Sequence, residues 1–162
     1  MDTLTTYYQS PLGLLQISGT KQYISKVHFV EEQHAMQPTQ SNTMLQQCTE
    51  ELGEYFNGQR LAFDIPLYQQ GTEFQTKVWN ALLNINFGQT ISYMTLAKRL
   101  GDPKCIRAAA STNGKNSIAI IVPCHRVIGS NQTLVGYAGG LWRKQWLLEH
   151  ENKIANGVRT LF

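Results

Sequence analysis

The run Val122-Pro123-Cys124-His125-Arg126-Val127 sets a thiol beside an imidazole and a guanidinium, a combination that can generate a sulfur nucleophile. Thiolate, not thiol, attacks, and a cysteine with a pKa near ~8.5 is mostly protonated at neutral pH unless cationic neighbours or a base assist. Ser117 to Val122 reads as a short apolar strand rich in β-branched residues, which puts Cys124 at the end of a buried strand. Pro123 fixes its own φ and drives Val122 toward an extended conformation, so the thiol is presented in a defined direction. A lone cysteine in an apolar segment is otherwise an ordinary small core residue, so the PCHR setting carries the chemical argument. Sequence neighbours on a strand or helix do not face each other. A water bridging His125 and the sulfur is therefore the more natural geometry unless the chain turns here.

The elements that must position this run can be read from local signals. Ser10-Pro11-Leu12-Gly13 and Gly19-Thr20-Lys21 mark turns, the first suited to type I, among strands near Thr5–Gln9, Leu14–Ser18 and Tyr23–Val30. Residues 31–42 are polar and loop-like. Leu45, Cys48, Leu52, Tyr55 and Phe56 then share one face of a helix that Gly58 ends, which makes Cys48 a core residue. Arg60 to Tyr68 reads as a strand or extended connector, and Gln69-Gln70-Gly71 is the predicted domain boundary. Thr72-Glu73-Phe74-Gln75 is a capping-box pattern opening a helix with Phe74, Val78, Leu82 and Ile85 as its apolar stripe. A further helix begins near Ser92 and ends at Leu100-Gly101; Asp102 caps the next, and Pro103 suits its first position. This is a helix-turn-helix pattern. The helix from Pro103 to about Thr112 buries Ile106 and Ala109 or Ala110, leaving Arg107 and Ser111 on another face among small side chains.

The composition, at 42% hydrophobic over 162 residues, suffices for a core, in one domain or two small ones. No apolar run reaches membrane-spanning length and no signal-peptide pattern opens the chain, so a soluble cytoplasmic protein is expected. Three cysteines at unrelated spacings suggest neither a disulfide framework nor a CxxC metal clip. The net charge of +3 conceals a division: residues 1–70 carry three basic and seven acidic side chains, residues 71–162 eleven basic and four acidic. The basic half is the candidate nucleic-acid face, although no dense Lys/Arg run distinguishes it from a solvated surface.

PCHRVIG, taken with the upstream FGQTISYMTLA and the downstream GYAGGLWRKQWLLEHE, closely resembles the O6-alkylguanine-DNA alkyltransferases, specifically the small constitutive bacterial type. The resemblance is strong over about residues 70 to 152 and looser through the SPLG turn and EYFNGQRLAFDIPL. It implies an α+β fold: an N-terminal domain over 1–70 with a small sheet and a helix in an RNase H-like arrangement, a mostly helical, winged-helix-like domain over 71–154, and a tail over 155–162. It implies a single-turnover methylated-DNA–protein-cysteine methyltransferase that flips O6-alkylguanine from duplex DNA and moves the alkyl group irreversibly to Cys124, with O4-alkylthymine as a minor substrate. No cofactor or metal is expected, and the partner is damaged duplex DNA, bound by a monomer. By this register, Cys124 is activated through a water and His125 held by Glu151. Tyr93 donates a proton or hydrogen bond to the departing base, and Asn116 braces the active-site turn. Arg107 replaces the extruded base, in a helix entering the minor groove, with Ser92, Thr95, Ala108, Ser111 and Arg126 as further DNA contacts. The Cys124 and Val127 carbonyls and the Ala138 N–H read the base, and Tyr137, Ala138 and Gly139 line its pocket. Ser117 stands where many relatives have proline, a departure expected to loosen the turn slightly.

The residues also admit blander readings: Glu151 as an exposed carboxylate, Tyr93 as a core residue with its hydroxyl at the rim, and Asn116 as a plain loop residue. Three rival functions are weighed. A lesion-binding protein without chemistry replaces the cysteine that this chain keeps. A Cys–His thiol hydrolase needs an oxyanion hole and a directly paired imidazole. A methyl-sensing regulator carries a four-cysteine zinc module absent here, and His28 and His34 have no cysteine partners nearby in sequence.

Overall fold

The computed structural model describes residues 2–33, 39–130 and 133–157. His34, part of the loop expected over 31–42 and most of the expected tail lie outside the described residues. Two compact units emerge, one comprising the described residues through Gln69 together with Ser117–Ala119, the other Gln70–Asn116 and the described residues from Ile120 onward.

In the first unit, β1 (Leu4–Ser10), β2 (Gly13–Gly19) and β3 (Ile24–Phe29) form an antiparallel sheet in that order, with Ser10 paired to Gly13 across the Pro11-Leu12 turn. Gly13 sits at φ 120°, where a side chain is strained. Ser10 Oγ accepts from Leu12 N at 3.1 Å and donates to Gly13 O at 2.7 Å, tightening the turn. Helix α1 (Thr43–Phe56), capped by Asn42 accepting from Leu45 N at 2.9 Å, packs on β1 and β2 through its apolar face. Cys48 is fully buried on that face, and burial pushes its thiol up to about 12. The Arg60–Tyr68 connector touches the sheet through a parallel bridge of Leu67 to Ile24.

The expected strand from Ser117 to Val122 is not formed. Only Ile118 pairs, as a parallel bridge to Val27, and the chain then turns, with buried Ile120 at φ 73°. An apolar β-branched run serves equally for a strand or a buried turn, and no local signal marks this left-handed residue. Nor is Ser117 loose: its N–H donates to Gln69 Oε1 at 2.9 Å, and its hydroxyl lies 3.2 Å from Ser25 O. Proline could not supply that N–H.

The second unit holds α2 (Glu73–Leu82), β4 (Ile91–Ser92), α3 (Tyr93–Arg99), α4 (Ile106–Gly114), β5 (Val127–Ile128) and α5 (Leu141–Asn156), with β4 and β5 parallel. The Thr72–Gln75 capping box is complete. Val78 and Leu82 are buried as expected, whereas Phe74 is half-buried and Trp79 instead fills the core, donating Nε1–H to Thr112 O at 3.2 Å. Ser92 caps α3, and Gly101, at φ 104°, follows the helix's last turn. Asp102 caps a single 3-10 turn, Pro103–Cys105, from which α4 starts at Ile106 rather than Pro103. Among the described residues no helix is long and apolar enough to cross a membrane.

Candidate active site

Cys124 opens a one-turn 3-10 helix, Cys124–Arg126, which follows Pro123 and leads directly into β5. It is thus at the start of a tight turn, not at the end of a strand. Cys124 N donates to Val122 O at 2.8 Å, while Asn116 Nδ2 donates to the same carbonyl at 2.9 Å and so braces the approach to the thiol. Asn113, on the last turns of α4, donates Nδ2–H to Cys124 O at 3.3 Å. Burial raises the Cys124 thiol above its ordinary range, opposed by a hydrogen bond to the Asn116 side chain, the Lys144 charge and the Cys124 amide. The raised value keeps the sulfur in its protonated form at neutral pH.

His125 follows Cys124 in the same turn and is in a state suited to accepting a proton. It is wholly buried, and burial lowers its pKa below the usual imidazole value despite the opposing pull of Glu151. Its Nε2 lies 2.7 Å from Glu151 Oε2, and its buried Nδ1 has no protein hydrogen-bond partner among the described residues. A carboxylate can only accept, so the neutral ring carries its proton on Nε2 and presents a lone pair at Nδ1.

Glu151 is 1% exposed, the opposite of the usual fate of glutamate. Helix α5 carries it inward, and Arg126 grips it through two bonds, Nε to Oε1 at 2.8 Å and Nη2 to Oε2 at 3.0 Å. Gly88 N adds a contact to Oε1 at 3.3 Å. Burial alone would raise this carboxyl, but His125 and the Arg126 guanidinium outweigh it and hold it well below the usual carboxylate range.

Arg126 corrects one expectation. It is buried, with Nη1 donating to Ile85 O at 2.7 Å and the guanidinium over Phe87, so its side chain is spent on bracing Glu151 from the inside and presents almost no surface for the expected DNA contact. The remaining expected DNA contacts divide by exposure. Arg107, Ala108 and Ser111 are exposed on α4, a strip of one long cation among small side chains. Ser92 and Thr95 are half-buried, and the Ser92 hydroxyl is engaged in capping.

Tyr93 donates its hydroxyl to Val135 O at 3.3 Å, and burial raises its phenol pKa. Tyr137 to Gly140 form a turn closed by Gly140 N to Tyr137 O at 2.9 Å, with Gly140 at φ 94°. Ala138 is exposed on this turn, Gly139 O accepts from Arg143 at 3.0 Å, and the Tyr137 hydroxyl is buried without a protein partner among the described residues. Val127 is buried, its carbonyl accepting from Lys144 Nζ at 2.7 Å. Lys144, Asn113 and Ile85 are the site residues that the sequence reading missed. One signal was available: Lys144, Leu147, Leu148 and Glu151 share a helical stripe.

Among the described residues no cluster of three or more His, Cys, Asp or Glu side chains could hold a metal ion. The arrangement brings together a thiol, a neutral imidazole with a lone pair at Nδ1, and a buried carboxylate fixing the ring's tautomer, groups from which a soft sulfur nucleophile can be made.

Comparison with known proteins gives concordant matches. A family model described as "6-O-methylguanine DNA methyltransferase, DNA binding domain" matches residues 73–153, and its "ribonuclease-like domain" counterpart matches residues 3–69. The chain is 42% identical over 156 residues, 94% of each chain, to the methylated-DNA–protein-cysteine methyltransferase of Mycolicibacterium paratuberculosis. A crystal structure of the Mycobacterium tuberculosis O6-methylguanine methyltransferase superposes with a TM-score of 0.84 at 37% identity, covering 97% of both chains. A structure of Mycobacterium tuberculosis OGT in complex with DNA superposes with a TM-score of 0.83 at 40% identity, covering 94% of both.

Proposed function

Since the chain belongs to the O6-methylguanine-DNA methyltransferase family, we propose that it repairs O6-alkylguanine in duplex DNA by moving the alkyl group to its own Cys124. The observation that carries this reading is the buried Cys124, His125 and Glu151 series, in which the residue following the thiol bears a neutral imidazole held by a carboxylate. His125 Nδ1 accepts the thiol proton through a bridging water. The sulfur lone pair then forms a bond to the saturated alkyl carbon as the carbon–oxygen bond breaks. The electron pair goes to the purine, which takes up a proton from Tyr93 or solvent and leaves as guanine. Sulfur suits displacement at saturated carbon, and the step needs no oxyanion hole. The product thioether does not hydrolyse, so each molecule acts once.

The reacting atom is hidden in a stacked base pair, and rotating the nucleotide out costs a few kcal/mol. Arg107, exposed on α4 among Ala108 and Ser111, is suited to fill the gap left in a minor groove whose degenerate pattern permits action at any sequence. Arg107→Ala is expected to slow transfer from a duplex by about 10–100-fold, equivalent to about 1.5–3 kcal/mol. Transfer from the free modified base should be unchanged. Equal losses on both substrates would remove Arg107 from extrusion.

The decisive experiment is intact-protein and peptide mass spectrometry after mixing with excess duplex containing O6-methylguanine. One added methyl per protein, on Cys124, is the expected result. No added mass, with lesion-selective binding retained, would make this a recognition protein and Cys124 a structural residue.

A further inference from the structure

We propose that Lys144 is a positioning residue for alkyl transfer: its ammonium ties the segment following Cys124 to the loop preceding Tyr137, fixing the gap that receives the alkylated base. Lysine is almost never fully buried without a partner, yet Lys144 is 0% exposed. An ammonium has three donors, and here each meets a backbone carbonyl: Val127 O at 2.7 Å, Val135 O at 2.8 Å and Gly136 O at 3.2 Å. Val127 begins β5 immediately after the Cys124–Arg126 turn, whereas Val135 and Gly136 lead into the Tyr137–Gly140 turn. One side chain thus sets the separation of the two segments. Tyr93 reinforces it, with its hydroxyl on Val135 O and its ring 5.9 Å from Nζ.

The charge has a second consequence. The ammonium is one of the influences that ease ionisation of the Cys124 thiol, so the same group that sets the gap also favours the nucleophile. Packing alone would require neither donors nor charge at this position.

The proposal rests on Cys124 being the acceptor. It is tested with Lys144→Met, which keeps an unbranched side chain and removes the buried charge. Single-turnover transfer from an O6-methylguanine duplex at saturating protein is expected to fall about tenfold or more, because small misplacements of reacting groups carry large rate penalties. Thermal melting fixes the folded fraction. Transfer by the folded variant within about twofold of the parent, a change too small for a positioning role, would overturn the proposal.

A second measurement needs no variant. Lys144 is lowered to about 8, chiefly by burial, with Cys124 opposing. Cys124, His125 and Tyr93 interact with it directly, and Glu151, Arg126 and Tyr137 join the set through His125 and Cys124. The thiol and both phenols are pushed up, and His125 and Glu151 are pushed down. Between about pH 7 and 9 Lys144 is therefore the member of this set that changes charge. Transfer should fall across that interval while alkylation of Cys124 by iodoacetamide, read by peptide mass spectrometry, climbs, with the fold followed by circular dichroism. Transfer rising in parallel with iodoacetamide alkylation would overturn the proposal even if Lys144→Met fails to fold. A parent protein that transfers nothing would instead overturn the acceptor assignment, which separates the two failures.

Discussion

Cys124→Ser is expected to give a folded protein that binds duplex DNA and transfers no measurable alkyl group, a loss of at least about a thousandfold. The exchange of sulfur for oxygen barely changes shape, so the bonds to the Cys124 backbone from Asn113 and within the Pro123 turn can persist. The chemistry changes completely. Serine's hydroxyl ionises far above neutral pH, and a neutral imidazole able to accept a thiol proton cannot make an alkoxide in useful amounts. Cys48→Ser is the matched control, since Cys48 lies in the core face of α1 with its thiol pushed up to about 12. The readouts are alkyl transfer from labelled duplex and binding by fluorescence anisotropy. Transfer by Cys124→Ser above about 1% of the parent rate, more than loss of an essential nucleophile allows, would rule out Cys124 as the acceptor.

What the sequence made legible here is chiefly what local stereochemistry decides. Thr72, Ser92 and Asp102 cap helices because a short side-chain oxygen preceding a helical run meets the N–H groups that helix geometry leaves unpaired. The buried stripe of α1 follows from its 3.6-residue period. Ser117–Val122 was misread because its composition suits burial in either of two backbone conformations. The difference is decided by a bridge to Val27, ninety-one positions upstream of Ile118. The burial of Arg126, set among the DNA contacts by the resemblance, was hidden for a related reason: nothing beside it in the sequence shows what holds its guanidinium. Its partners, Ile85 and Glu151, lie far away in sequence on either side. Burial of a charge is a property of the pair, and neither member reveals it alone.

The Arg126–Glu151 pair also explains why the acid is not interchangeable with its amide. Glu151→Gln keeps the shape but removes the charge that offsets a buried guanidinium, and it turns one acceptor oxygen into a donor facing Arg126 or His125. Breaking a buried pair by neutralising one partner typically costs about 3–5 kcal/mol, and urea unfolding at pH 7 should show a loss of that size. Transfer by the folded fraction should fall by about 10²–10⁴-fold, the usual range for a general base that has lost its positioning. The pH dependence fixes the cause. The folded-state pKa of Glu151 lies well below its ordinary value of 4.5, so the parent's extra stability is complete above that value and is lost as pH falls from it toward the folded pKa. The glutamine variant has no such contribution, so the two stability curves should converge in acid. Curves that stay parallel from pH 7 downward would mean that the pair contributes packing alone. In that case Arg126 holds the helix rather than the carboxylate that orients His125.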